Sequence, residues 1–466
     1  MRWWGRVAIA VCLAIACGVS PAFAASSVIG ITPPAGAVLS AGAVPVRVTF
    51  ATNIDAHFVH LELVQSDSVT TLAAVRDPVN PQVLDARIPA GLRRPGVSWL
   101  RWRVLGSNGH VEAGNVCLGG PECTAPVAEP ARLGQPLGAI LAGIARWAVL
   151  VGVTLILGLV VVRRLIASRA WSSGGVHPIG RPADREAFQA RTHAAVQPSA
   201  SVLGWILAGA IGTWCVGALL WVIGITWWLQ IGVGAIPELV FRTRVGAEIL
   251  AVGVAGLVAG VCLVAGRSAV WVGRTPVRDA LIGICAVIGV CAMSWGGHAA
   301  DGTDVVINAC ADALHGIASA LWLGGLVGLV VCVIGPARRM IPEDRLRFLS
   351  AAVVSFSSLA IGCVSVLIAT GTYRALAEVA QLGDLVSTGY GIALLVKLGL
   401  FGLLLCFGAY NRLIIHPRLE RAALAGDTHF LGADDALMRT VRWEIVCAVA
   451  MLCAVAVLLA LTPAVA

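Results

Sequence analysis

Two histidines and a carboxylate stand in a stretch of the chain that is otherwise apolar enough for the interior of a membrane. The stretch contains Trp295-Gly-Gly-His298, Asp312-Ala-Leu-His315 and Trp322-Leu-Gly-Gly325. An ionisable group at the centre of a bilayer costs about 3 kcal/mol on insertion scales, so its presence there indicates a function. Imidazole nitrogen, assisted by carboxylate oxygen or sulfur, is a good ligand for transition metals. The residue types therefore predict a metal-handling centre in a polytopic membrane protein.

The spacing of these residues suggests how such a centre would be built. Asp312 and His315 are three residues apart and share one face of a helix, so the acid can fix the tautomer of the ring. We predict a metal site formed by His298 and His315, with Asp312, Met293 or Cys310 assisting. A polar clamp between helices, in which His315 bonds Asp312 or a backbone carbonyl, fits the same spacing. The spacing alone leaves both interpretations open.

Other features inside the apolar runs have simpler interpretations. The glycines of Trp322-Leu-Gly-Gly325 permit close helix approach, so we interpret this block as structural. Glu248 and Lys397 are further charges set inside apolar runs, and pairing within the protein is the expectation for both. Ten of the 14 cysteines fall in apolar runs and are interpreted as small packing residues.

Composition excludes an ordinary soluble enzyme. Of 466 residues, 58% are hydrophobic and only 12% are charged, and the mean hydropathy is +0.87. The net charge of +8 does not indicate nucleic-acid binding, because the arginines cluster in loops between apolar runs and so mark membrane topology. We expect contact with membrane lipid and no nucleic-acid partner.

Eight apolar runs are long enough to cross a bilayer. They lie near residues 144–162, 202–229, 246–266, 280–297, 306–335, 350–371, 390–411 and 443–462. Arginine-rich loops follow the first, third, fifth and seventh runs, and the positive-inside rule places such loops in the cytoplasm. The N-terminal part and the C-terminus then lie on the extracytoplasmic side of the cytoplasmic membrane. His298 lies at the outer end of the fourth run, and His315 roughly two to three turns into the fifth.

The residues before these runs form two parts. Residues 1–24 have the basic start, apolar run and small-x-small cleavage site of a signal peptide. Residues 25–127 contain short runs of alternating apolar and polar residues, broken by Pro, Gly and Asn, which predict a small antiparallel β-sandwich or barrel. A linker (128–143) leads into the membrane domain (144–466). The predicted fold is an all-α membrane bundle of about eight helices after an exported all-β Greek-key domain.

The exported part carries its own pair of cysteines, Cys117 and Cys123, which flank Leu-Gly-Gly-Pro-Glu. Disulfides persist outside the cytoplasm, so we favour a disulfide over a metal-binding thiolate pair.

These residues resemble two families of copper-handling proteins. The C-terminal part resembles CopD, the copper-resistance membrane protein, in Gly297-His-Ala, Asp312-x-x-His315, Leu321-Trp-Leu-Gly-Gly325, Thr370-Gly-Thr-Tyr-Arg374, Thr388-Gly-Tyr-Gly391, Leu394-Leu-Val-Lys397 and Asn411-Arg412. The exported part resembles CopC in Thr32-Pro-Pro-Ala-Gly-Ala-Val-Leu39, Val46-Arg-Val-Thr-Phe50 and Ser107-Asn-Gly-His110-Val-Glu-Ala-Gly114. The order of the parts is similar to that of fused CopC–CopD proteins.

The resemblance implies copper, as Cu(I) or Cu(II), bound outside the membrane and passed through it, usually inward, with an extracytoplasmic copper donor as a partner. It also exposes a departure from the family pattern. A CopC-type Cu(II) site has a histidine at the mature N-terminus and an Asp-x-His pair. Here residues 25–28 contain no histidine, Asn108 replaces the aspartate, and His110 alone remains as a candidate ligand. An amide is a weaker copper ligand than a carboxylate, so we place the function in the membrane part.

The leading hypothesis is a copper transporter rather than an enzyme. No Gly-x-x-x-x-Gly-Lys-[Ser/Thr] motif for ATP occurs, so an ion gradient, the membrane potential or a cytoplasmic copper sink would drive transport. One alternative is a membrane electron-transfer protein that holds haem between His298 and His315. Another is a chaperone that hands copper to an exported oxidase.

Overall fold

The computed structural model describes residues 28–38, 42–65, 68–90, 97–107, 109, 111–119, 123, 134–173, 182–266, 275–296, 304–378, 383–425 and 432–460. The predicted signal peptide and the candidate ligands His298 and His110 lie outside these described residues.

The N-terminal part is a sandwich of two four-stranded antiparallel sheets. Its strands are β1 (Val28–Thr32), β2 (Val44–Phe50), β3 (Ile54–Gln65), β4 (Ser68–Leu72), β5 (Ala74–Arg76), β6 (Val83–Ile88), β7 (Ser98–Gly106) and β8 (Val111–Leu118). One sheet has the order β1-β2-β6-β5 and the other the order β4-β3-β7-β8. The chain changes sheets between β2 and β3, between β4 and β5, and again between β6 and β7, as in Greek-key sandwiches. The prediction of an all-β N-terminal domain is confirmed.

The alternation in the sequence produces the core of this sandwich. In β2, Val44, Val46, Val48 and Phe50 are buried while the residues between them face outward. Cys117, near the end of β8, forms a disulfide with Cys123, with Cα atoms 5.6 Å apart. The expected disulfide is therefore present.

The C-terminal part is a bundle of long helices. These are α1 (Gly134–Val161), α2 (Pro182–Val196), α3 (Ser199–Leu229), α4 (Arg244–Ala265), α5 (Thr275–Gly296), α6 (Val305–Leu329), α7 (Pro342–Glu378), α8 (Gly389–Tyr410) and α9 (Gly432–Ala460). Helices α1, α6 and α8 each continue into a short π-helical segment, at Val162–Ala167, Val330–Ile334 and Asn411–Ile415.

Among the described residues, seven helical segments are long and apolar enough to cross a membrane. They contain α1 and α3 to α8. The eighth predicted run, 443–462, coincides with the second half of α9 as far as Ala460 and stays a prediction as a span. Helix α1 begins at Gly134, so much of the predicted linker is helical, because apolar residues from Leu137 onward extend the first span.

Glycines let the central helices approach closely. A Cβ atom at Gly158 of α1 would overlap the backbone of Gly324 in α6, and a Cβ atom at Gly324 would overlap the carbonyl oxygen of Thr154. Small residues at such crossings allow direct backbone contact between membrane helices. The structural interpretation of Trp322-Leu-Gly-Gly325 is thus confirmed.

The bundle has two distinct ends. At one, the β-domain end, Phe58 and Val111 of the sandwich pack in one buried cluster with Trp221 of α3 and Val245 of α4. At the opposite end Asp279 is fully buried. Its partners are three arginines whose nitrogens lie 2.7–2.9 Å from its carboxylate: Arg163, Arg164 and Arg278. The sandwich and this arginine cluster lie at opposite ends of the bundle, and the orientation of the bundle in the membrane stays a prediction.

The crossing of α1 and α6 gives a first prediction. Gly324→Ala should destabilise the bundle by about 1–3 kcal/mol, because the added methyl group forces the helices apart. The midpoint of thermal unfolding of the purified protein measures this effect. Gly209→Ala in α3 is the matched control, since a Cβ atom there meets no atom within 4 Å. Equal unfolding midpoints for the two variants would contradict the proposed close contact.

Candidate functional site

Helices α6 and α7 face each other through a line of polar side chains toward the β-domain end. This polar seam consists of three residues from each helix: Asn308, Asp312 and His315 of α6, and Thr370, Tyr373 and Arg374 of α7. The three residues of α6 are four and three positions apart, so they share one helix face. The seam therefore results from helical periodicity in α6 matched by a polar block in α7.

The ring of His315 is held by Thr370. Its Nδ1 atom lies 2.9 Å from Thr370 Oγ1. The Thr370 hydroxyl donates its own proton to the Val366 carbonyl at 2.7 Å, so its oxygen accepts a hydrogen bond from Nδ1–H of His315. In that tautomer Nε2 carries the lone pair by which a neutral imidazole binds a metal. The ring also lies against the backbone of α7, since a Cβ atom at Gly371 would be 3.6 Å from its Cε1.

The carboxylate of Asp312 forms an ion pair with Arg374. The hydrogen bond at Nδ1 of His315 thus goes to Thr370, while Asp312 neutralises an arginine; a carboxylate–imidazole unit of Asp312 and His315 stays a prediction. About a quarter of each charged side chain is exposed, 26% for Asp312 and 29% for Arg374. Nearby, the Tyr373 hydroxyl donates to Asn308 Oδ1 at 2.7 Å. Three polar contacts therefore fix the rotation of α6 against α7.

The two sulfur-containing candidates lie in different surroundings. Met293 of α5 is partly buried against the hydrophobic core of the helical bundle. It is three residues after Val290, whose side chain would meet a Cβ atom at Gly316, so it lies on the face of α5 that turns toward α6. Cys310 is exposed on the surface of α6. Met293 is thus the better placed of the two for a site in the bundle.

In the part of the chain that the structure describes, no three or more His, Cys, Asp or Glu side chains form a group that could hold a metal ion. The predicted pairing of His315 with His298 falls outside that part and stays a prediction. Sequence reasoning assigned no role to Thr370, although Thr370-Gly-Thr-Tyr-Arg374 places several polar residues together in an apolar run. That local polarity was the available signal.

Two family models match the chain. The model for the CopC domain matches residues 28–117, which spans the sandwich from β1 to β8. The model for Copper resistance protein D (CopD) matches residues 350–458, which covers most of α7 together with α8 and α9. The second match includes Thr370 and Arg374 of the polar seam and begins after His315.

Curated relatives carry copper-related names. The chain is 27% identical over 158 residues to Copper resistance protein D of Pseudomonas syringae pv. tomato, covering 33% of this chain and 50% of that protein. It is 32% identical over 123 residues to Copper transport protein CutJ of Bacillus subtilis (strain 168), covering 26% of this chain and 22% of that protein. The matches thus span half or less of the length of these relatives.

A solved structure also aligns with part of the chain. The crystal structure of CopC from Methylosinus trichosporium OB3b aligns at 19% sequence identity and a TM-score of 0.17, covering 20% of this chain and 88% of that one. The two family matches and the two-part architecture observed above agree with each other. The chain is a multi-pass membrane protein in which residues 28–117 match the CopC domain and residues 350–458 match Copper resistance protein D.

Proposed function

We propose that this protein binds copper ions and carries them across the cytoplasmic membrane, from the extracytoplasmic side inward. The observation that carries the proposal is the His315–Thr370 hydrogen bond, which orients an imidazole inside an apolar bundle. The names of two relatives, Copper resistance protein D and Copper transport protein CutJ, support copper as the cargo.

The chemistry of the seam suits this cargo. Imidazole nitrogen binds both Cu(I) and Cu(II), and a partner on the other ring nitrogen orients the ring and raises its basicity. Thr370 supplies that partner through Nδ1, so Nε2 of His315 is the metal-binding atom in our proposal. His298 is the second imidazole, and Met293 is the thioether best placed to assist. Cys310 and Asp312 assist less directly, since Cys310 is exposed and Asp312 pairs with Arg374.

The proposed direction follows from charge and position. The positive-inside rule places the arginine cluster around Asp279 at the cytoplasmic end, and hence the β-domain end outside. His315 lies ten residues after the start of α6, or about 15 Å along its axis. Copper would thus reach the seam from the side that the CopC domain covers, with His110 as the candidate ligand in that domain. An extracytoplasmic copper donor would supply the ion.

We predict that His315→Ala abolishes copper binding by the membrane domain, because it removes the metal-binding nitrogen. Equilibrium dialysis of the purified protein, followed by metal analysis, measures the bound copper. His193→Ala in α2 is the control, since His193 lies outside the seam and packs against Trp171. Unchanged binding by His315→Ala would exclude this histidine from the site.

The role of Thr370 as the hydrogen-bond partner of the His315 ring can be tested in the same copper-binding assay. Thr370→Val removes the hydrogen-bond acceptor for Nδ1 and should weaken copper binding about 10- to 100-fold. Thr370→Ser retains a hydroxyl and should bind nearly as well as the wild type. Equal affinities for the valine and serine variants would mean that Thr370 does not orient the ring for copper.

The ion pair of the seam should act mainly on stability. Asp312→Asn and Arg374→Gln should each lower the thermal unfolding midpoint, because each leaves one charge without its partner. The loss of unfolding free energy in the double variant should be smaller than the sum of the losses in the two single variants. The difference, which is the coupling energy of the pair, should be about 0.5–3 kcal/mol. If Asp312→Asn instead lowers copper affinity as strongly as His315→Ala with the fold intact, Asp312 is a direct ligand.

Copper uptake into proteoliposomes tests transport itself. Wild-type protein should accumulate copper inside the vesicles, and the double variant His298→Ala, His315→Ala should lose this uptake. Copper bound without uptake would contradict transport and favour a chaperone. A Soret band without stoichiometric copper would overturn the copper assignment in favour of haem.

A further inference from the structure

Glu248 of α4 is a buried carboxylate that lacks the contacts such a group normally has. Its residue is 5% exposed, close to the β-domain end of the bundle. Among the described residues, neither Oε1 nor Oε2 has a hydrogen-bond partner. Removing a carboxylate from water costs several kcal/mol even in real proteins, so buried carboxylates are normally both paired and hydrogen-bonded. The position of Glu248 therefore needs a physical explanation.

The charged groups around Glu248 hold it only loosely. Among the described residues, Arg146 of α1 forms an ion pair with Glu248, with Nη2 at 4.0 Å from Oε1, which is too long for a hydrogen bond. The guanidinium of Arg146 also lies over the ring of Trp221 in α3, 4.9 Å from the centroid, in a cation–π contact. Arg244, on the same helix as Glu248, also attracts the carboxylate electrostatically. Its Nη2 atom donates a hydrogen bond to the Trp295 carbonyl at 2.9 Å. Arg146 thus interacts with two groups, the Glu248 carboxylate and the Trp221 ring.

The helix opposite leaves room for this carboxylate. A Cβ atom at Gly296, the last residue of α5, would overlap Oε2 of Glu248. Any larger residue at position 296 would therefore displace the carboxylate. Val245 and Ile249 of α4 belong to the buried cluster that includes Phe58 of the sandwich, so the β-domain packs directly beside this position. Within the described part of the chain, the fold encloses the carboxylate without giving it hydrogen bonds.

We propose that Glu248 is a proton-binding site, which takes up and releases one proton as copper crosses the bundle. The coupling to copper rests on the proposed transport function, whereas proton binding itself does not. The step is the reversible addition of one proton to the carboxylate, and no electron moves. When ionised, Glu248 offsets the charge of Arg146. When Glu248 is protonated, the ion pair is lost and the guanidinium of Arg146 keeps its cation–π contact with Trp221.

Charge balance provides the link to a cation in the bundle. The two states of Glu248 differ by one unit of charge, and charges in a membrane interior interact strongly because little water screens them. A copper ion that enters the β-domain end therefore favours release of a proton held there. A single carboxylate with two arginines beside it is a poor set of ligands for a metal ion, so we assign it a proton rather than copper.

Infrared difference spectroscopy tests proton binding directly and needs no copper. Spectra of the purified full chain in lipid, recorded at high and low pH, should show a carboxylic C=O band from a buried acid. The band should have the same intensity in wild type and in Glu238→Gln, which alters an exposed carboxylate at the same end of the bundle, and should lose the contribution of one acid in Glu248→Gln. The conservative variant Glu248→Asp should retain a carboxylic band at a shifted frequency. Other buried acids, such as Glu444, contribute equally to all these spectra, so a band of unchanged intensity in folded Glu248→Gln would overturn the proposal.

Proteoliposomes that enclose a pH-sensitive dye test the coupling. Copper uptake by wild type and Glu238→Gln should be accompanied by proton movement, and a pH gradient should change the uptake rate. Glu248→Gln should lose both effects while still exchanging copper at equal concentrations on the two sides. Copper uptake by wild type without proton movement would overturn the coupling. No copper uptake by wild type would refute the transport function, and the infrared titration would then decide on proton binding alone.

Discussion

A polar side chain inside an apolar bundle must find its partner within the protein, since neither lipid nor water supplies one. Much of the architecture follows from this constraint. Asp279 is surrounded by arginines that come from the end of α1 and from its own helix, so one buried charge ties α1 to α5. Asp312 and Arg374 tie α6 to α7 in the same way. Apart from the contact of Arg278 with its chain neighbour Asp279, each of these contacts joins residues far apart in the chain and so restricts how two helices can rotate against each other.

The seam between α6 and α7 also depends on what α6 does on its other side. Gly324 follows His315 by nine residues, which is about two and a half helical turns, so the two lie on opposite faces of α6. The glycine face allows α6 to touch the backbone of α1 at Gly158. With that face fixed, the histidine face is directed toward α7, where Thr370 accepts its hydrogen bond. Close packing on one face thus determines the position of the polar residues on the other.

The sequence predicts the elements of this structure better than the contacts between them. Alternation in β2, the apolar runs and the position of Cys117 and Cys123 are local patterns, and the structure agrees with them. The partner of His315 is different, because Thr370 is 55 residues away and periodicity says nothing about the rotation of one helix against another. The proximity of Arg146 to Glu248 is likewise not predicted by any local sequence pattern. Arg146 is the third residue of the first predicted apolar run, but α1 begins at Gly134, so Arg146 lies well inside the helix and is buried.

The two polar features near the β-domain end differ in how completely their groups are satisfied, and this difference separates their roles. In the seam, the residues make hydrogen bonds or ion pairs with specific partners, and such a network holds one arrangement. Such rigidity suits a metal ligand, which needs a ring held in one orientation. At Glu248 the carboxylate has no hydrogen bond among the described residues, and Arg146 has both a carboxylate and an indole within reach. A group so weakly held can change its charge at little structural cost. A fixed imidazole and a changeable carboxylate are the two components on which the proposed proton-linked copper transport rests.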